Sequence, residues 1–281
     1  RRGAIGALGA GLLAALFVVA TYSIAAAAGG IASLLHAIPW EDGFVGVRRD
    51  AVLLGLAQLG GAGVAIGVGV LVRRDAGSGW LEALGVRPVP SVFAFLAIGA
   101  GLGLAFPLHE IALLLAEVAP PLSPDPTASA ELVRLLRIEG PRTAVVVPLA
   151  FVAIPAITEE LLFRGVILPG LAARMDPRVA LVGSALLFGA VNLDPLALVY
   201  ATVAGLALGW VRLRVDSVLP AVAMHGAFNA VRVGLPAELI RLRGFNTVEE
   251  DVYHLPPGLV LGSLALTLAC LLVFWRLSDE R

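Results

Sequence analysis

Residues 158–165 read TEELLFRG, and this cluster of two acids and one arginine follows the apolar run TAVVVPLAFVAIPAI. An ionisable side chain near the centre of a bilayer costs roughly 2.5 to 3.5 kcal/mol, so three of them require pairing, a water-filled cavity or a function. On a helix, Glu160 and Arg164 are four residues apart and share a face, so they can form an ion pair. Glu159 lies about 100° around the helix and has no partner on it, which leaves it available for chemistry.

Two further polar pairs have the same spacing. In PAVAMHGAFNAV, His225 and Asn229 share one helix face; histidine can exchange a proton near neutral pH, and asparagine can donate hydrogen bonds to an anionic oxygen. In LLFGAVNLD, Phe188 and Asn192 are again four residues apart. Taken singly, the pairs also fit structural roles: a buried ion pair, interhelical hydrogen bonding, and the end of a helix before LDP. Together they favour a functional site.

The three pairs resemble the pattern of the CPBP family of intramembrane proteases, which includes the CAAX prenyl proteases and bacteriocin-processing and immunity proteins. That family is recognised by EExxxR, FxxxH and HxxxN on successive membrane helices. This chain has EELLFR at 159–164, FGAVN at 188–192 and HGAFN at 225–229. The sequence departs from the pattern at Asn192, where the family usually has histidine.

The resemblance implies a role for each matching residue. Glu159 would be the general base that activates a water molecule, supported by Glu160 and Arg164. His225 would orient the water or transfer a proton, and Asn229 would stabilise the oxyanion of the tetrahedral intermediate. Asn192 can hydrogen-bond a water or a carbonyl group but cannot carry a proton.

We expect no cofactor. Zinc remains an alternative because histidine and glutamate bind it, but a catalytic zinc site needs three protein ligands, and there is no HExxH motif. With asparagine at position 192, only His225 and the acids remain nearby. His109 could reach the site and supply the missing imidazole.

The composition indicates what holds these residues in place. Of 281 residues, 59% are hydrophobic and 15% are charged, and the mean hydropathy is +0.93. Soluble domains are roughly 45 to 50% apolar, so this chain is expected to be an all-α polytopic membrane protein. One cysteine excludes a disulfide framework, and scattered arginines at a net charge of −1 argue against nucleic acid as a partner.

Runs of about 20 apolar residues predict about eight transmembrane helices, with no soluble domain. Their ranges are 5–33, 51–72, 91–117, 143–168, 178–192, 195–211, 217–235 and 257–275. We interpret residues 1–281 as one membrane domain, with the catalytic core at 143–234. Placing both termini in the cytoplasm of a plasma-membrane protein puts eleven arginines on that side and seven on the other, as the positive-inside rule favours.

Two features outside the core carry expectations about packing. In ASAELVRLLRIEG, apolar residues alternate with charged ones as in a short helix that lies on the membrane surface, although a plain connecting helix fits equally well. Small-xxx-small pairs predict close contacts between helices. These pairs are Gly63/Gly67, Gly99/Gly103 and Gly205/Gly209.

The leading hypothesis is an intramembrane endopeptidase in which Glu159 activates water to cleave a peptide bond in or near the bilayer. Its partners would be the lipid bilayer and a peptide or protein substrate, with or without a prenyl group. Because of Asn192, a family member with weakened catalysis that acts as a binding or immunity scaffold is the main alternative. A small transporter is a further alternative, although the inverted repeat typical of transporters is not recognisable.

Overall fold

The computed structural model describes residues 5–35, 50–73, 79–122, 126–249 and 251–280. These residues form helices joined by turns, with no strand among them, so the all-α prediction is correct. The helices are α1 (Ala7–Leu34), α2 (Ala51–Arg73), α3 (Trp80–Ala83), α4 (Ser91–Val118), α5 (Pro126–Leu135), α6 (Pro141–Ala172), α7 (Pro177–Ala190), α8 (Pro195–Val215), α9 (Leu219–Gly234) and α10 (Pro257–Asp279).

Six of the described helices are long and apolar enough to cross a membrane: α1, α2, α4, α6, α8 and α10. The chain is therefore a multi-pass membrane protein, but the prediction of about eight spans is too high by this criterion. The segments 178–192 and 217–235 are helical, yet α7 and α9 have only 14 and 16 residues. A full span needs about 20 residues, so both are shorter helices within the bundle.

Local sequence signals explain why α7 is short. It starts at Asp176, whose carboxylate accepts a hydrogen bond from the Arg178 amide, and Pro177 occupies the first helical position. It ends at a tight turn in which Leu193 has φ +54°, a left-handed conformation that cannot continue a helix. Asp194 then caps α8 by accepting from the Ala197 amide at 2.7 Å.

Helix α6 carries the EExxxR motif and departs from ideal α-helical geometry both before the motif and within it, since one π-helical turn includes Arg164. Residues Leu149–Ala153 and Leu161–Ile167 form π-helical turns around the α-helical stretch Ile154–Glu160. Pro148, Pro155 and Pro169 lie in this helix, and each lacks the N–H that an α-helical ladder would use. Single π-helical turns inside α-helices are frequent at functional sites.

The helices assemble around α4 and α6. Helix α4 packs against both α9 and α10, α1 packs against α2, α7 against α8, and α6 lies between α2 and α9. Many of the buried residues are alanine or glycine, which lets backbones approach closely. Two of the predicted glycine pairs pack as expected, against α10 and α7. For Gly63 and Gly67 the predicted close contact is not found, because a methyl group at either position would meet no atom of a neighbouring described helix within 4 Å.

Polar contacts join the connections at the two ends of the bundle. Near residues 5 and 280, Asp216 pairs with Arg87 and Arg212, and Arg214 pairs with Asp279. At the opposite end, buried Asn246 organises the 235–256 connection. Its Nδ2 donates to the carbonyl groups of Leu235 and Ile240, and its Oδ1 accepts from the Leu242 amide. The described residues 235–249 of this connection are therefore organised by side-chain hydrogen bonds and turns rather than by a helix.

Candidate active site

A cavity of about 460 Å³ lies inside the bundle, and residues of all three motifs line it. We call it the first cavity. Glu159 reaches it from α6, Phe188 and Asn192 from α7 and its end, and His225 and Asn229 from α9. Apolar residues of α1 and α2 form much of the remaining wall, including Phe17, Val18, Ala25, Leu54 and Ala57.

Glu160 lies behind the cavity wall and joins two motifs. Its Oε1 accepts a hydrogen bond from Arg164 Nη1 at 2.8 Å and lies 2.9 Å from His225 Nδ1. Glu160 and Arg164 are completely buried. The ion pair expected from the four-residue spacing is therefore present, and it also positions the histidine of α9, which the spacing did not indicate.

This contact defines the chemistry open to His225. A carboxylate that already binds a guanidinium is ionised and only accepts hydrogen bonds. His225 Nδ1 therefore carries a hydrogen and donates a hydrogen bond to Glu160. The other ring nitrogen, Nε2, is then an acceptor while the imidazole is neutral and a donor once it is protonated. Because His225 lines the first cavity, it can act there as proton acceptor or donor.

Phe188 connects the arginine and the histidine through its ring. The Arg164 guanidinium lies 4.4 Å from the ring centroid, and the His225 ring makes an edge contact with a centroid separation of 5.8 Å. Such contacts are attractive and depend on orientation. The aromatic residue of the second motif thus fixes the groups that hold Glu160, a role that its spacing from Asn192 does not reveal.

Glu159 points away from Glu160 and toward α2. Its Oε1 accepts a hydrogen bond from Gln58 Nε2 at 2.7 Å. The prediction that Glu159 lacks a partner on its own helix agrees with this geometry, but sequence reasoning missed the partner on α2. A signal was available, because Gln58 is the one polar side chain in the predicted span 51–72.

The two asparagines are held differently. Asn192 Nδ2 donates to the carbonyl oxygens of Phe188 and Gly189 at 3.1 and 3.3 Å, so its NH₂ group is engaged by its own helix. Its Oδ1 has no hydrogen bond to the described residues and can face the cavity. Asn229 makes no side-chain hydrogen bond within the described part of the chain, so its amide is available to a ligand.

A second cavity of about 630 Å³ adjoins the first and shares five wall residues with it: Leu54, Phe151, Tyr200, Phe228 and Asn229. Leu132, Leu135 and Leu136 of the α5 segment cover one side. The apolar face predicted for this segment thus lines a cavity.

His109 lines the second cavity rather than the first, and its Nε2 is 2.6 Å from the carbonyl oxygen of Gly244. The prediction that His109 could supply the imidazole missing at position 192 is therefore wrong.

The acids and the histidine of the site are not arranged as a metal-binding group. Among the described residues, no group of three or more His, Cys, Asp or Glu side chains is arranged to hold a metal ion. Glu160 is bound by Arg164, and Glu159 is bound by Gln58. The expectation of a metal-independent reaction remains a prediction.

Comparison with protein families gives one match. Residues 141–231 match the model described as Type II CAAX prenyl endopeptidase Rce1-like. The matched region runs from the start of α6 into α9 and includes all three motifs. Searches of curated proteins and of solved structures found no match.

Proposed function

We propose, from the premise that residues 141–231 are a Rce1-like type II CAAX prenyl endopeptidase (CPBP) family domain, that this protein is a membrane endopeptidase. A single observation supports the proposal most strongly. The carboxylate of Glu159 lines an internal cavity together with His225 and Asn229, while Glu160 and Arg164 hold that histidine from behind. A base, a proton carrier and an amide donor therefore converge on one space.

These positions support the following reaction. Glu159 takes a proton from a water molecule as the water oxygen forms a bond to the scissile carbonyl carbon. The carbonyl oxygen becomes an oxyanion that Asn229 Nδ2 stabilises by donating a hydrogen bond. Protonated Glu159 then gives its proton to the amide nitrogen, the C–N bond breaks, and a carboxylic acid and an amine leave. His225 Nε2 accepts a hydrogen bond from the water and orients it.

The cavity and the family support a proposal for the substrate class. The matched family is named for CAAX prenyl endopeptidases, and a CAAX sequence is a C-terminal cysteine followed by three residues. The apolar wall from α1 and α2 suits a prenyl chain or an apolar side chain beside the reacting bond. We therefore assign as substrate a C-terminal peptide whose cysteine lies near Glu159. The enzyme itself is proposed to cross the membrane several times with both of its termini in the cytoplasm.

Cleavage by purified protein tests this function. Fluorogenic peptides that end in Cys-a-a-X, with and without a farnesyl group, would be assayed with wild type, Glu159→Gln and Glu139→Gln. Glu139 is exposed and lies outside the cavity, so its variant is a matched loss of charge. Loss of the base should lower turnover by about 10²- to 10⁴-fold, whereas Glu139→Gln should resemble wild type. A Glu159→Gln rate within a few-fold of wild type would rule out this mechanism.

The same assay tests the metal prediction. Activity should survive prolonged treatment with EDTA and phenanthroline, and purified protein should contain well below one zinc per chain. Zinc bound stoichiometrically, with activity lost on its removal and regained on its return, would contradict the metal-independent mechanism.

One observation favours the scaffold as a second candidate function. The NH₂ group of Asn192 is bound to carbonyl groups of its own helix, and asparagine cannot carry a proton. A scaffold would bind the CAAX peptide with the same affinity in wild type and Glu159→Gln, and neither protein would cleave it.

A further inference from the structure

Arg232 is a cation inside a predicted span that the proposed mechanism does not use. Its guanidinium donates to the Phe245 carbonyl oxygen at 3.3 Å and lies 5.6 Å from the Phe245 ring centroid. It forms no ion pair with any carboxylate in the part of the chain that the structure describes. A guanidinium has five N–H donors, and leaving them unmatched within a bundle is costly.

The two acids on the second cavity wall are engaged elsewhere. Asp194 caps α8 through the Ala197 amide, and Glu131 makes an interaction of its own. The Arg232 side chain is exposed: it lines the second cavity and a third cavity beside it, whose wall also includes Glu238 and Arg241. An anion that entered the second cavity could therefore meet this guanidinium.

The position of Arg232 on α9 relates it to the candidate active site. His225, Asn229 and Arg232 follow the spacing i, i+4, i+7, which places them along one helix face. Seven residues rise about 10 Å along the axis at about 1.5 Å per residue. An extended peptide covers about 3.3 Å per residue, so about three residues span the distance from His225 to Arg232.

The wall between these points suits a short apolar peptide. The first and second cavities meet at Asn229, Tyr200 and Phe228. Beyond them the second cavity is lined mainly by apolar side chains, among them Leu108, Leu132, Leu135, Leu196 and Val233. A mainly apolar cavity with a guanidinium in its wall that pairs with no carboxylate among the described residues complements a peptide with apolar side chains and a terminal carboxylate.

We propose that Arg232 binds the C-terminal carboxylate of the substrate, three residues beyond the bond that is cleaved. This inference rests on the proposed function for the location of the cleaved bond. The second cavity then holds the tripeptide that becomes the leaving group. Arg232 acts as a specificity residue that measures the distance between the cleaved bond and the end of the chain.

The kinetic test compares peptides that differ only after the cysteine. They carry three residues with a free carboxylate, three residues with a terminal amide, or five residues with a free carboxylate. Wild type should cleave the first about 10- to 100-fold better in kcat/KM than the other two, as expected for the loss of a charge-assisted hydrogen bond. Arg232→Gln should cleave the acid and the amide at similar, low efficiency.

Arg241→Gln is the matched control, because Arg241 lines the third cavity but not the second. Arg241→Gln should keep the wild-type preference for the three-residue acid. If Arg232 acted only by attracting anions in general, Arg232→Gln and Arg241→Gln would both lose that preference. An Arg232→Gln enzyme that still discriminates between acid and amide would overturn the proposal.

A binding measurement separates this proposal from the proposed function. The free tripeptide acid should raise the Tm of wild type and of Glu159→Gln in detergent, because a ligand that binds only the folded state stabilises it. The tripeptide amide should not, and Arg232→Gln should respond to neither. If the tripeptide acid binds but no peptide is cleaved, the role of Arg232 in binding the carboxylate stands and the protease assignment fails. If the acid and the amide raise the Tm of wild type equally, the proposed role of Arg232 is wrong.

Discussion

Glu160 is the residue on which the candidate active site depends most for structure. A single carboxylate oxygen accepts from Arg164 and from His225, while the adjacent Glu159 has a separate partner on α2. Two neighbouring acids therefore have different surroundings: Glu160 is sealed among helices, and Glu159 lines the cavity. The difference predicts different consequences when each acid is removed.

Glu160→Ala is expected to destabilise the protein. The variant leaves Arg164 as a buried charge without its carboxylate, a change that costs about 3 to 5 kcal/mol in buried ion pairs. Glu159→Gln keeps an acceptor for Gln58 and should leave Tm nearly unchanged. Thermal unfolding in one detergent would measure both. Equal melting temperatures for Glu160→Ala and wild type would show that the pair contributes nothing to stability.

Asn192→His is expected to increase catalysis. Residue 192 lines the same cavity as Glu159 and His225, and both side chains are polar and moderate in size. General acid or base assistance is worth about 10² to 10⁴-fold, so turnover of a CAAX peptide should rise at least about tenfold. Asn192→Ala is the control for loss of the amide. A substantial wild-type rate that falls with both substitutions would mean that the asparagine has its own catalytic role.

At the level of elements, the site depends on how closely α9 approaches α4. A methyl group at Gly101 would collide with the carbonyl oxygen of Met224, the residue before His225. The absence of a side chain at this position therefore sets the depth at which α9 packs and the distance from His225 to Glu160.

Gly101→Ala should lower both Tm and activity, although replacing glycine by alanine normally favours a helix by about 0.5 to 1 kcal/mol. The collision costs about 1 to 3 kcal/mol and moves α9 outward. Gly63→Ala supplies the matched control, because Gly63 has no described neighbour within contact distance. It should leave activity unchanged and hold or raise Tm. The same response from both variants would refute the packing argument.

Contacts within one helix could be predicted from the sequence, whereas contacts between distant helices could not. The Glu160–Arg164 pair follows from a four-residue spacing, and the helix starts at Asp176 and Asp194 follow from Asp-Pro pairs. The partners of Glu159 and His225 come from helices 101 and 65 residues away, which no local pattern specifies. The number of spans was overestimated because apolar helices inside a bundle have the same composition as helices that cross a bilayer.

At the level of the whole molecule, the connection 235–256 closes the end of the bundle next to the second cavity. His254 bridges this connection to α4, with Nδ1 2.7 Å from Glu110 and Nε2 3.1 Å from Glu117. Glu110 also accepts from the Leu255 amide. Gly244 and Phe245, on the same connection, contact His109 and Arg232. The connection at this end of the bundle therefore contacts residues that form the wall of the proposed tripeptide site.

This bridge predicts a pH dependence of stability. The hydrogen bond to Glu110, followed by that to Glu117, raises the pKa of His254. A raised pKa in the folded state gives stability that is fully present below the unfolded value, about 6.5, and is lost as the pH rises through the folded value. Wild-type Tm should therefore fall above about pH 6.5 more steeply than the Tm of His254→Gln. Parallel curves for the two proteins would exclude the bridge as the cause.

The location of the Glu160–Arg164 pair within one helix has a consequence for how the protein is made. Because both partners lie on α6, they can neutralise each other while that segment enters the bilayer during synthesis, before α9 has left the ribosome. The Gln58 partner of Glu159 lies on α2 and is already inserted by then. His225 and Asn229 arrive afterwards on α9, so a nascent chain that ends before Leu219 should insert stably while still lacking the histidine and the amide of the candidate active site.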